Sequence, residues 1–436
     1  MTAAPFASSD VHHRQPARRA PAVVRVGLLG LGQIGAAVAR LAAARSPGRH
    51  ADVEVTTALV RDPLRARAAQ GVRATADAEA VFRTRPTVIV EALGGLEPAR
   101  TLVLDALARG IPVVTANKSL LAHHGSELTE AAARAGVSLR FEASVVAGVP
   151  FLAAFARRPY ASTLTSITGI VNGTTNFILS RMQDGMSDYG SALAEAQRRG
   201  FAEPDPSKDV DGIDAAEKLL ILIREFGGPA VAPGRIETYG ITTVTPVDLA
   251  LARELGGTLK PIVRAEGLDA RGAAVAAFAG PAFVSAGHPL ARVKQVTNGL
   301  CLRDVAGSEL CLTGPGAGPD VTAVTILDDV LEAAAGEPVG RPAWAWPGLA
   351  VAPASTWFVR VTSAVPLPHG ADVADLLGAH GVWTERTSGT DSRDGAESRA
   401  SLTYRCTRPQ VERAVSALAA ATRCTARIFR ALEPLA

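Results

Sequence analysis

A short apolar strand, a glycine-rich turn and an alanine-rich helix follow one another near the start of the chain, and this order restricts the fold more than any other feature. Residues 23–29 read VVRVGLL, residues 30–35 read GLGQIG and residues 36–41 read AAVARL. In a GxGxxG turn the first two glycines let the backbone approach a pyrophosphate, and the third allows close helix–strand packing. The helix N-terminus offers N–H groups to the phosphates. The cofactor contacts that this turn predicts come from Gly30, Gly32, Gln33, Ile34 and Gly35.

Strands and helices continue to alternate after this turn. Further apolar strands are predicted at 53–60, 87–91 and 111–115. Such alternation favours a doubly wound parallel sheet, whose ligands bind beyond the carboxyl ends of the strands. Gly94, Gly95 and Lys118 lie at such ends, so we expect them to contact the cofactor. The alternative for Lys118 is a solvated loop lysine, and its place at a strand end favours the functional interpretation.

The residue that follows the second strand bears on the choice of cofactor. An acidic residue usually ends this strand in NAD-binding proteins, where it binds the ribose hydroxyls. Here the chain has Arg61, then Asp62, with Arg65 and Arg67 beyond. Because a guanidinium suits the 2′-phosphate of NADP, we predict NADP binding through Arg61. NAD stays possible, since Asp62 could serve it and the arginines could simply be solvated.

A later acidic segment combines a turn-rich loop with the start of an apolar helix. Residues 200–219 read GFAEPDPSKDVDGIDAAEKL. Two prolines and a glycine prevent a regular helix before Gly212, after which Asp214 can begin one. Lys218 lies four residues further, on the same helix face. A lysine held by a carboxylate in this way can handle a proton, although isolated pairs of this kind are usually ordinary surface ion pairs.

Composition and charge argue against several classes of function. The 436-residue chain is 47% hydrophobic and 20% charged, with a net charge of +3, which describes a globular protein of two or three domains. No basic stripe interleaved with aromatic residues suggests a nucleic-acid partner, and no apolar run reaches the length of a membrane span. The first twenty residues lack the apolar core of a signal peptide, so residues 1–21 are interpreted as a disordered tail.

The cysteines bear on the cellular compartment. Four are present, at Cys301, Cys311, Cys406 and Cys424, with neither CxxC spacing nor a disulfide framework. This pattern predicts ordinary thiols in a reducing compartment. We therefore expect a soluble, cytoplasmic protein.

Six segments of the chain together carry a resemblance to a known family. They read GLGQIG, VVTANKSLLA, EASVVAGVP, GIVNGTTNFIL, GFAEPDPSKDVDGIDAAEKL and GPGAGPDVTAVTILDDV. In order and spacing they resemble the homoserine dehydrogenases, and the fifth segment is the most specific. The resemblance runs from about residue 23 to about residue 340 and implies a stand-alone enzyme without an aspartate-kinase domain. Such an enzyme interconverts L-aspartate 4-semialdehyde and L-homoserine with NAD(P), in threonine, methionine and isoleucine biosynthesis.

The resemblance also implies roles for individual residues. Lys218 corresponds to the family's acid/base lysine, and Lys118 to the lysine near the nicotinamide and the substrate oxygen. Asp214 is expected to orient Lys218 and the substrate. The positions implied in substrate binding are Glu203, at the substrate's amino group, Asp209, Asp214, Gly173 and Thr174.

A monovalent cation site is implied in the same way. It would be built from the carboxylate of Glu142 and the backbone carbonyls of Val145, Ala147 and Val149. Oxygen ligands of this kind suit Na⁺ or K⁺. Val146 stands where many members have glycine, a departure within this hinge segment.

The predicted organisation is an α/β Rossmann-type doubly wound parallel sheet, then an α+β substrate and dimerisation domain, then a small βαββαβ ACT-like domain. The boundaries are a tail at 1–21, an NAD(P)-binding domain at 22–150 completed by about 311–340, a substrate domain at 151–310, a linker at 341–353 and the ACT-like domain at 354–436. Gly318, in the returning glycine turn, is expected against the cofactor. The ACT resemblance is loose, because residues 365–370 lack the family's acidic-x-Pro-Gly turn. Threonine is a possible effector, and a homodimer or homotetramer is expected.

Two other functions remain open from the sequence. One is another NAD(P)-dependent reductase of an amino-acid aldehyde, against which the acidic loop around Glu203 and Asp214 speaks. The other is a catalytically silent paralogue that senses amino acids or NAD(P) through its C-terminal module. Retention of Lys118 and Lys218 speaks against that interpretation.

Overall fold

The structure is a computed structural model of the chain. It describes residues 23–44, 51–64, 71–156, 164–185, 187–226, 234, 236–268, 276–336, 355–363, 373–391, 397–422 and 424–432. The predicted tail at 1–21, the predicted linker at 341–353, and Arg65 and Arg67 lie outside these residues.

A six-stranded parallel sheet forms the N-terminal part of the molecule. Its strands are β1 Val23–Leu29, β2 Asp52–Leu59, β3 Arg73–Thr75, β4 Val88–Glu91, β5 Val113–Thr115 and β6 Leu139–Arg140, in the order β3-β2-β1-β4-β5-β6. The helices between them are α1 Gln33–Ala44, α2 Ala78–Arg83, α3 Ala99–Ala108 and α4 Lys118–Ala135. Val26 and Leu28 of β1 belong to one apolar core and Leu29 to another, so both faces of the sheet are covered. The predicted doubly wound dinucleotide-binding sheet is confirmed.

The chain then builds a second, mixed sheet with helices on one face. Its helices are α5 Phe151–Ala156, α6 Gly173–Gly185, α7 Tyr189–Arg198, α8 Ser207–Val210, α9 Ile213–Glu225 and α10 Pro246–Glu254, with 3-10 turns at Glu142–Ser144 and Pro289–Arg292. Its strands are β7 Leu164–Ile170, β8 Glu237–Thr238, β9 Gly257–Glu266, β10 Ala276–Ser285, β11 Thr297–Asp304 and β12 Glu309–Pro315. Leu219 and Ile221 of α9 are fully buried in the core that also holds Ile167 and Val263. The apolar run after the acidic loop thus anchors α9 on the sheet.

The chain returns to the first sheet after β12. Helix α11, Pro319–Ala334, begins at Gly318 and packs against α1, with Ala323, Ile326 and Val330 in the same core as Val38. Among the described helices, none combines the length and apolar composition that a membrane span requires.

The C-terminal elements extend the mixed sheet. They are β13 Trp357–Ser363, α12 Val373–Gly378, β14 Thr384–Asp391, β15 Glu397–Thr403, α13 Arg408–Thr422 and β16 Thr425–Leu432. The whole sheet runs β12-β11-β7-β9-β10-β16-β13-β15-β14, with β8 beside β10. Strand β16 pairs with β10 in parallel from Ala282 to Val284, so one hydrogen-bonded sheet joins strands β7–β12 to the C-terminal module, the elements from β13 to β16.

The cysteine prediction is wrong for two of the four residues. Cys301 of β11 and Cys311 of β12 are register partners in an antiparallel pair, with Cα atoms 4.1 Å apart, and form a disulfide. Cys406 and Cys424 are free and buried. The sequence could not predict the pairing, because it depends on which residues the β11–β12 hairpin places opposite each other.

Candidate active site

The carboxylate of Asp214 is shared by two lysine side chains that come from different domains. Lys118, the first residue of α4, places its Nζ 2.6 Å from Oδ1 of Asp214. Lys218, one turn along α9, places its Nζ 3.0 Å from Oδ2. Asp214 is 3% exposed, so this charge is satisfied inside the protein and not by water. The predicted Asp214–Lys218 pair is therefore buried, and its alternative as an ordinary surface pair is wrong.

The local folds explain why these groups meet. Asn117 caps α4, because its side chain accepts a hydrogen bond from the Leu120 N–H, and this fixes the direction of Lys118 at the carboxyl end of β5. Gly212 precedes α9 with φ of +83°, a conformation that favours glycine. Ser119 donates to the Glu217 carboxylate at 2.9 Å, so the residues beside the two lysines also join α4 to α9.

The electrostatics of the cluster favour the charged forms. Burial alone would raise the pKa of Asp214, but the two ammonium groups hold the pKa of this carboxyl well below its usual range. Burial lowers the pKa of Lys118, and the Asp214 carboxylate more than compensates, so that pKa is raised. Lys118 therefore carries a fixed positive charge at physiological pH.

Asn172 is a part of the cluster that sequence reasoning missed. Its Nδ2 donates to Asp209 at 2.7 Å and to Asp214 at 2.8 Å, and its Oδ1 accepts the N–H of Thr175. Burial raises the pKa of Asp209, and the hydrogen bond from Asn172 opposes this effect. A signal was available, because Asn172 lies two residues beyond the end of β7, just as Lys118 lies shortly after the end of β5. Val171 contributes its carbonyl oxygen, 2.7 Å from Lys218 Nζ.

Three further residues were predicted to bind the substrate: Gly173, Thr174 and Glu203. Thr174 Oγ1 donates to the Phe201 carbonyl at 2.7 Å, which ties the start of α6 to the acidic loop. A Cβ at Gly173 would lie 2.9 Å from the Val296 carbonyl oxygen, so this glycine serves packing. The Glu203 side chain is exposed, and its carboxylate has no hydrogen bond or ion pair to the described residues.

The glycine turn before α1 has the geometry that a dinucleotide requires. Gly30 has φ of +104°, and a Cβ there would lie 2.6 Å from the Ala92 carbonyl oxygen. A Cβ at Gly35 would lie 2.1 Å from the Gly30 carbonyl oxygen, so the helix passes close to the turn. A Cβ at Gly32 would meet nothing within 4 Å, and this open space beside the N-terminus of α1 fits a pyrophosphate.

The other predicted cofactor residues border the same end of the sheet. Gln33 and Ile34 open α1, while Gly94 and Gly95, both with positive φ, follow β4 and face open space. Arg61 is exposed just beyond the carboxyl end of β2. Gly318 precedes α11 with φ of +135°.

The hinge segment ties Glu142 to the start of α5. Its carboxylate is buried and accepts backbone N–H groups of Phe151, Leu152 and Ala153 at 2.6–2.7 Å. Burial raises the pKa of this carboxyl. The carbonyls of Ala147 and Val149 accept hydrogen bonds from Thr325 and Phe151, and Val145 is buried beside them. No group of three or more His, Cys, Asp or Glu side chains in the described part of the chain could hold a metal ion.

The fold and this charge cluster define a class of protein. A dinucleotide-binding sheet faces two ammonium groups, and the protein is an NAD(P)-dependent oxidoreductase acting on a CH–OH group. The family profile described as "Homoserine dehydrogenase, NAD binding domain" matches residues 30–142, and the profile "Homoserine dehydrogenase" matches residues 150–331. The chain belongs to the homoserine dehydrogenase family.

Individual relatives agree with this assignment. A homoserine dehydrogenase from Synechocystis is 38% identical over 317 residues, which cover 71% of this chain and 72% of that protein. The crystal structure of a homoserine dehydrogenase from Thiobacillus denitrificans superposes with a TM-score of 0.84 at 30% identity, covering 95% of this chain and 99% of that one. A hyperthermophilic archaeal homoserine dehydrogenase in complex with NADPH matches with a TM-score of 0.61 at 26% identity, covering 73% and 100% of the two chains.

Proposed function

We propose that this homoserine dehydrogenase moves the substrate proton through Lys218, with Lys118 as a fixed positive charge and Asp214 as the group that positions both. The observation that carries the proposal is the buried Asp214 carboxylate, which bonds both ammonium groups at 2.6 and 3.0 Å. Bound nicotinamide dinucleotide supplies or accepts the hydride. In the reductive direction the aldehyde oxygen of the substrate gains negative charge, which a nearby ammonium stabilises and neutralises with a proton.

The hydrogen bonds of the two lysines support this division of roles. An ammonium has three N–H groups, and Lys218 uses one for Asp214 and one for the Val171 carbonyl. The third is available to the substrate oxygen, in a fixed direction. The raised pKa of Lys118 suits a charge that stays in place throughout the cycle.

Substrate binding is proposed for the groups around this cluster. Asp209, joined to Asp214 through Asn172, offers a carboxylate to a cationic amino group. Glu203 is proposed for the same amino group, since its exposed carboxylate has room to turn towards a ligand. Gly173 and Thr174 would contact the amino acid at the start of α6.

The assay that tests the whole proposal is homoserine-dependent reduction of NADP and of NAD by the purified protein. If the folded protein binds NADPH but shows no turnover, the result would favour the alternative function, a catalytically silent paralogue that senses amino acids or NAD(P).

We propose NADP as the preferred dinucleotide. Arg61 lies exposed at the carboxyl end of β2, where a guanidinium can pair with a 2′-phosphate. Arg61→Ala is expected to lower kcat/KM for NADP roughly tenfold, while kcat/KM for NAD stays unchanged. Arg73→Ala, at another exposed arginine of the same sheet, serves as the control. Steady-state kinetics with both cofactors measure the effect, and a strong NAD preference of the unaltered enzyme would contradict the proposal.

We also propose that Glu142 and the carbonyls of Val145, Ala147 and Val149 hold Na⁺ or K⁺. The donor set fits, because a buried carboxylate and neutral carbonyl oxygens match a hard monovalent cation. The cation would balance the Glu142 charge and fix the hinge between the domains.

Cation binding is expected to stabilise the fold. Na⁺ or K⁺ should raise Tm by about 2–4 °C over choline at equal ionic strength, and Glu142→Gln should abolish the rise. Glu332→Gln, at a nearby exposed acid paired with Arg140, should keep it. Equal Tm values in the sodium, potassium and choline salts would contradict the proposed cation site.

The C-terminal module is proposed to be ACT-like and regulatory. Its elements follow one another in the order β13-α12-β14-β15-α13-β16, which supports this interpretation. We expect L-threonine, but not D-threonine, to inhibit homoserine oxidation. If threonine does not inhibit at physiological concentrations, the module is assigned to assembly of the oligomer instead. Light scattering should then report a homodimer or a homotetramer.

A further inference from the structure

The last residue of β4, Glu91, carries a carboxylate that is fully buried. Within the described part of the chain, no lysine, arginine or histidine forms an ion pair with it. Four hydrogen-bond donors surround it instead: two from the turn after β4, and two from the end of β5 and the residue that caps α4. A buried carboxylate is costly unless hydrogen bonds satisfy its oxygens. These donors therefore join two separate segments through Glu91.

The turn after β4 binds to one oxygen of this carboxylate. Oε1 of Glu91 accepts the N–H of Leu93 at 2.8 Å and that of Gly94 at 3.3 Å. Gly94 and Gly95 have φ of +76° and +73°, and a Cβ on either would meet nothing within 4 Å. Fixing a glycine costs more conformational freedom than fixing any other residue. Glu91 therefore supplies a restraint to a turn that stays open to a ligand at the strand ends.

Thr115 and Asn117 connect the same carboxylate to the start of α4. The Thr115 hydroxyl donates to Oε2 of Glu91 and accepts the backbone N–H of Asn117 at 3.0 Å. Nδ2 of Asn117 donates to the Gly95 carbonyl at 2.7 Å and to Oε1 of Glu91 at 3.4 Å. Its Oδ1 caps α4, whose first residue is Lys118. One amide side chain thus holds both the turn and the helix start that carries Lys118.

The donor set around Glu91 matches an ionised carboxylate. Burial raises the pKa of this carboxyl, and the four hydrogen bonds oppose the rise. An ionised carboxylate only accepts hydrogen bonds, and each of its four neighbours is a donor. Replacement by glutamine would keep the shape of the side chain but would place an NH₂ group opposite the Thr115 hydroxyl, which now donates to Oε2.

We propose that Glu91 is a positioning residue, which acts with Thr115 and Asn117 to keep the Gly94–Gly95 turn and Lys118 in one fixed relation. The inference rests on the proposed functions of that turn at the dinucleotide and of Lys118 at the substrate oxygen. Glu91 has no exposed surface, so it acts only through its hydrogen bonds. Hydride transfer needs both reactants in a precise relative position, and a displacement of about 1 Å can cost roughly a hundredfold in rate.

The first test is NADPH binding to the full chain without substrate, followed by the fluorescence of the reduced nicotinamide. A turn that is no longer held must be ordered by the ligand, so Kd for NADPH should rise about fivefold in Glu91→Gln and further in Glu91→Ala. Ser138→Ala removes a buried hydroxyl of the same domain that has no hydrogen-bond partner, and should bind NADPH normally. An unchanged Kd in folded Glu91→Ala would overturn the proposal.

The Thr115 position shows whether the bond or only the packing matters. Thr115→Val removes the hydroxyl and should raise Kd for NADPH about threefold, whereas Thr115→Ser keeps the hydroxyl and should restore it. This pair also replaces the Glu91 variants if these do not fold. Equal Kd values in Thr115→Val and Thr115→Ser would contradict the positioning role.

Asn117→Ser tests the connection to Lys118. Serine also caps helices well, so the start of α4 is kept, but its side chain is too short to reach the Gly95 carbonyl. We expect kcat for homoserine oxidation to fall at least about tenfold, with KM for homoserine nearly unchanged, because the substrate's own contacts remain. An unaltered kcat together with normal NADPH binding would overturn the proposal.

A further variant distinguishes failure of this inference from failure of the proposed function. Normal turnover in Lys118→Ala would contradict the proposed role of Lys118 itself. The NADPH titrations of the Glu91 and Thr115 variants would still decide whether the turn is held in the way inferred here, since they require no turnover.

Discussion

Replacing Lys218 with alanine is expected to lower kcat for homoserine oxidation by about 10²–10⁴-fold, the range that general acid–base catalysis contributes. The loss follows from removing the ammonium that Asp214 and the Val171 carbonyl aim at the substrate oxygen. Asp214 keeps its contact with Lys118, so the charge cluster stays partly neutralised and the fold is retained. Stopped-flow and steady-state assays with NADP measure the rate, and NADPH binding verifies the fold.

Two comparisons make this result specific. Lys208→Ala removes an exposed lysine from the same acidic segment and should leave kcat within twofold of the unaltered enzyme. Lys118→Ala should also slow the reaction, but the remaining activity should keep its pH dependence, since Lys218 still carries the proton. Near-normal turnover in Lys218→Ala would remove this lysine from the mechanism.

Asp214→Asn is expected to damage both activity and stability. The amide keeps the shape of the carboxylate but leaves two ammonium groups without their shared counter-charge. Breaking a buried ion pair in this way costs about 3–5 kcal/mol of the free energy of unfolding. We expect kcat/KM to fall at least as far as in Lys218→Ala, because both lysines lose their orientation.

The effect on stability should depend on pH with a defined sign. In the folded protein the pKa of Asp214 is held below the ordinary value of 3.8. Its contribution to stability is therefore present above that value and is lost as pH falls through the folded pKa. Urea denaturation should give a constant difference between Asp214→Asn and the unaltered protein near neutral pH, and a shrinking difference below about pH 4. A difference that persists unchanged in acid would assign the loss to packing instead of charge.

The nucleotide-binding half could be predicted from local sequence. A strand, Gly30, Gly32 and Gly35, and a helix occupy consecutive positions, so their geometry depends on neighbours in the chain. The pairing of Asp214 with Lys218 could also be predicted, because both residues lie on one face of one helix. The contact of Asp214 with Lys118 could not be predicted, because it joins two domains and residues that are 96 positions apart.

The parts that sequence reasoning missed depend on which strands pair and in which register. Asn172 gains its role only when the end of β7 meets the start of α9. Cys301 and Cys311 pair because the β11–β12 hairpin sets them opposite each other. The continuation of the mixed sheet into the C-terminal module required knowing that β16 lies beside β10. Hydrophobic pattern alone does not select strand partners.

That shared sheet has a consequence for how the protein unfolds. Phe283 of β10 stacks on Phe358 of β13, and both lie in one apolar core with Leu249 of α10. Asp248, fully buried in α10, forms ion pairs with Arg360 and Arg427 of the C-terminal strands. The elements around β10 and α10 and the C-terminal module therefore share their interior and should melt in a single cooperative transition. A chain truncated before Trp357 would expose Phe283 and an open edge of β10, and should aggregate rather than yield a smaller working enzyme.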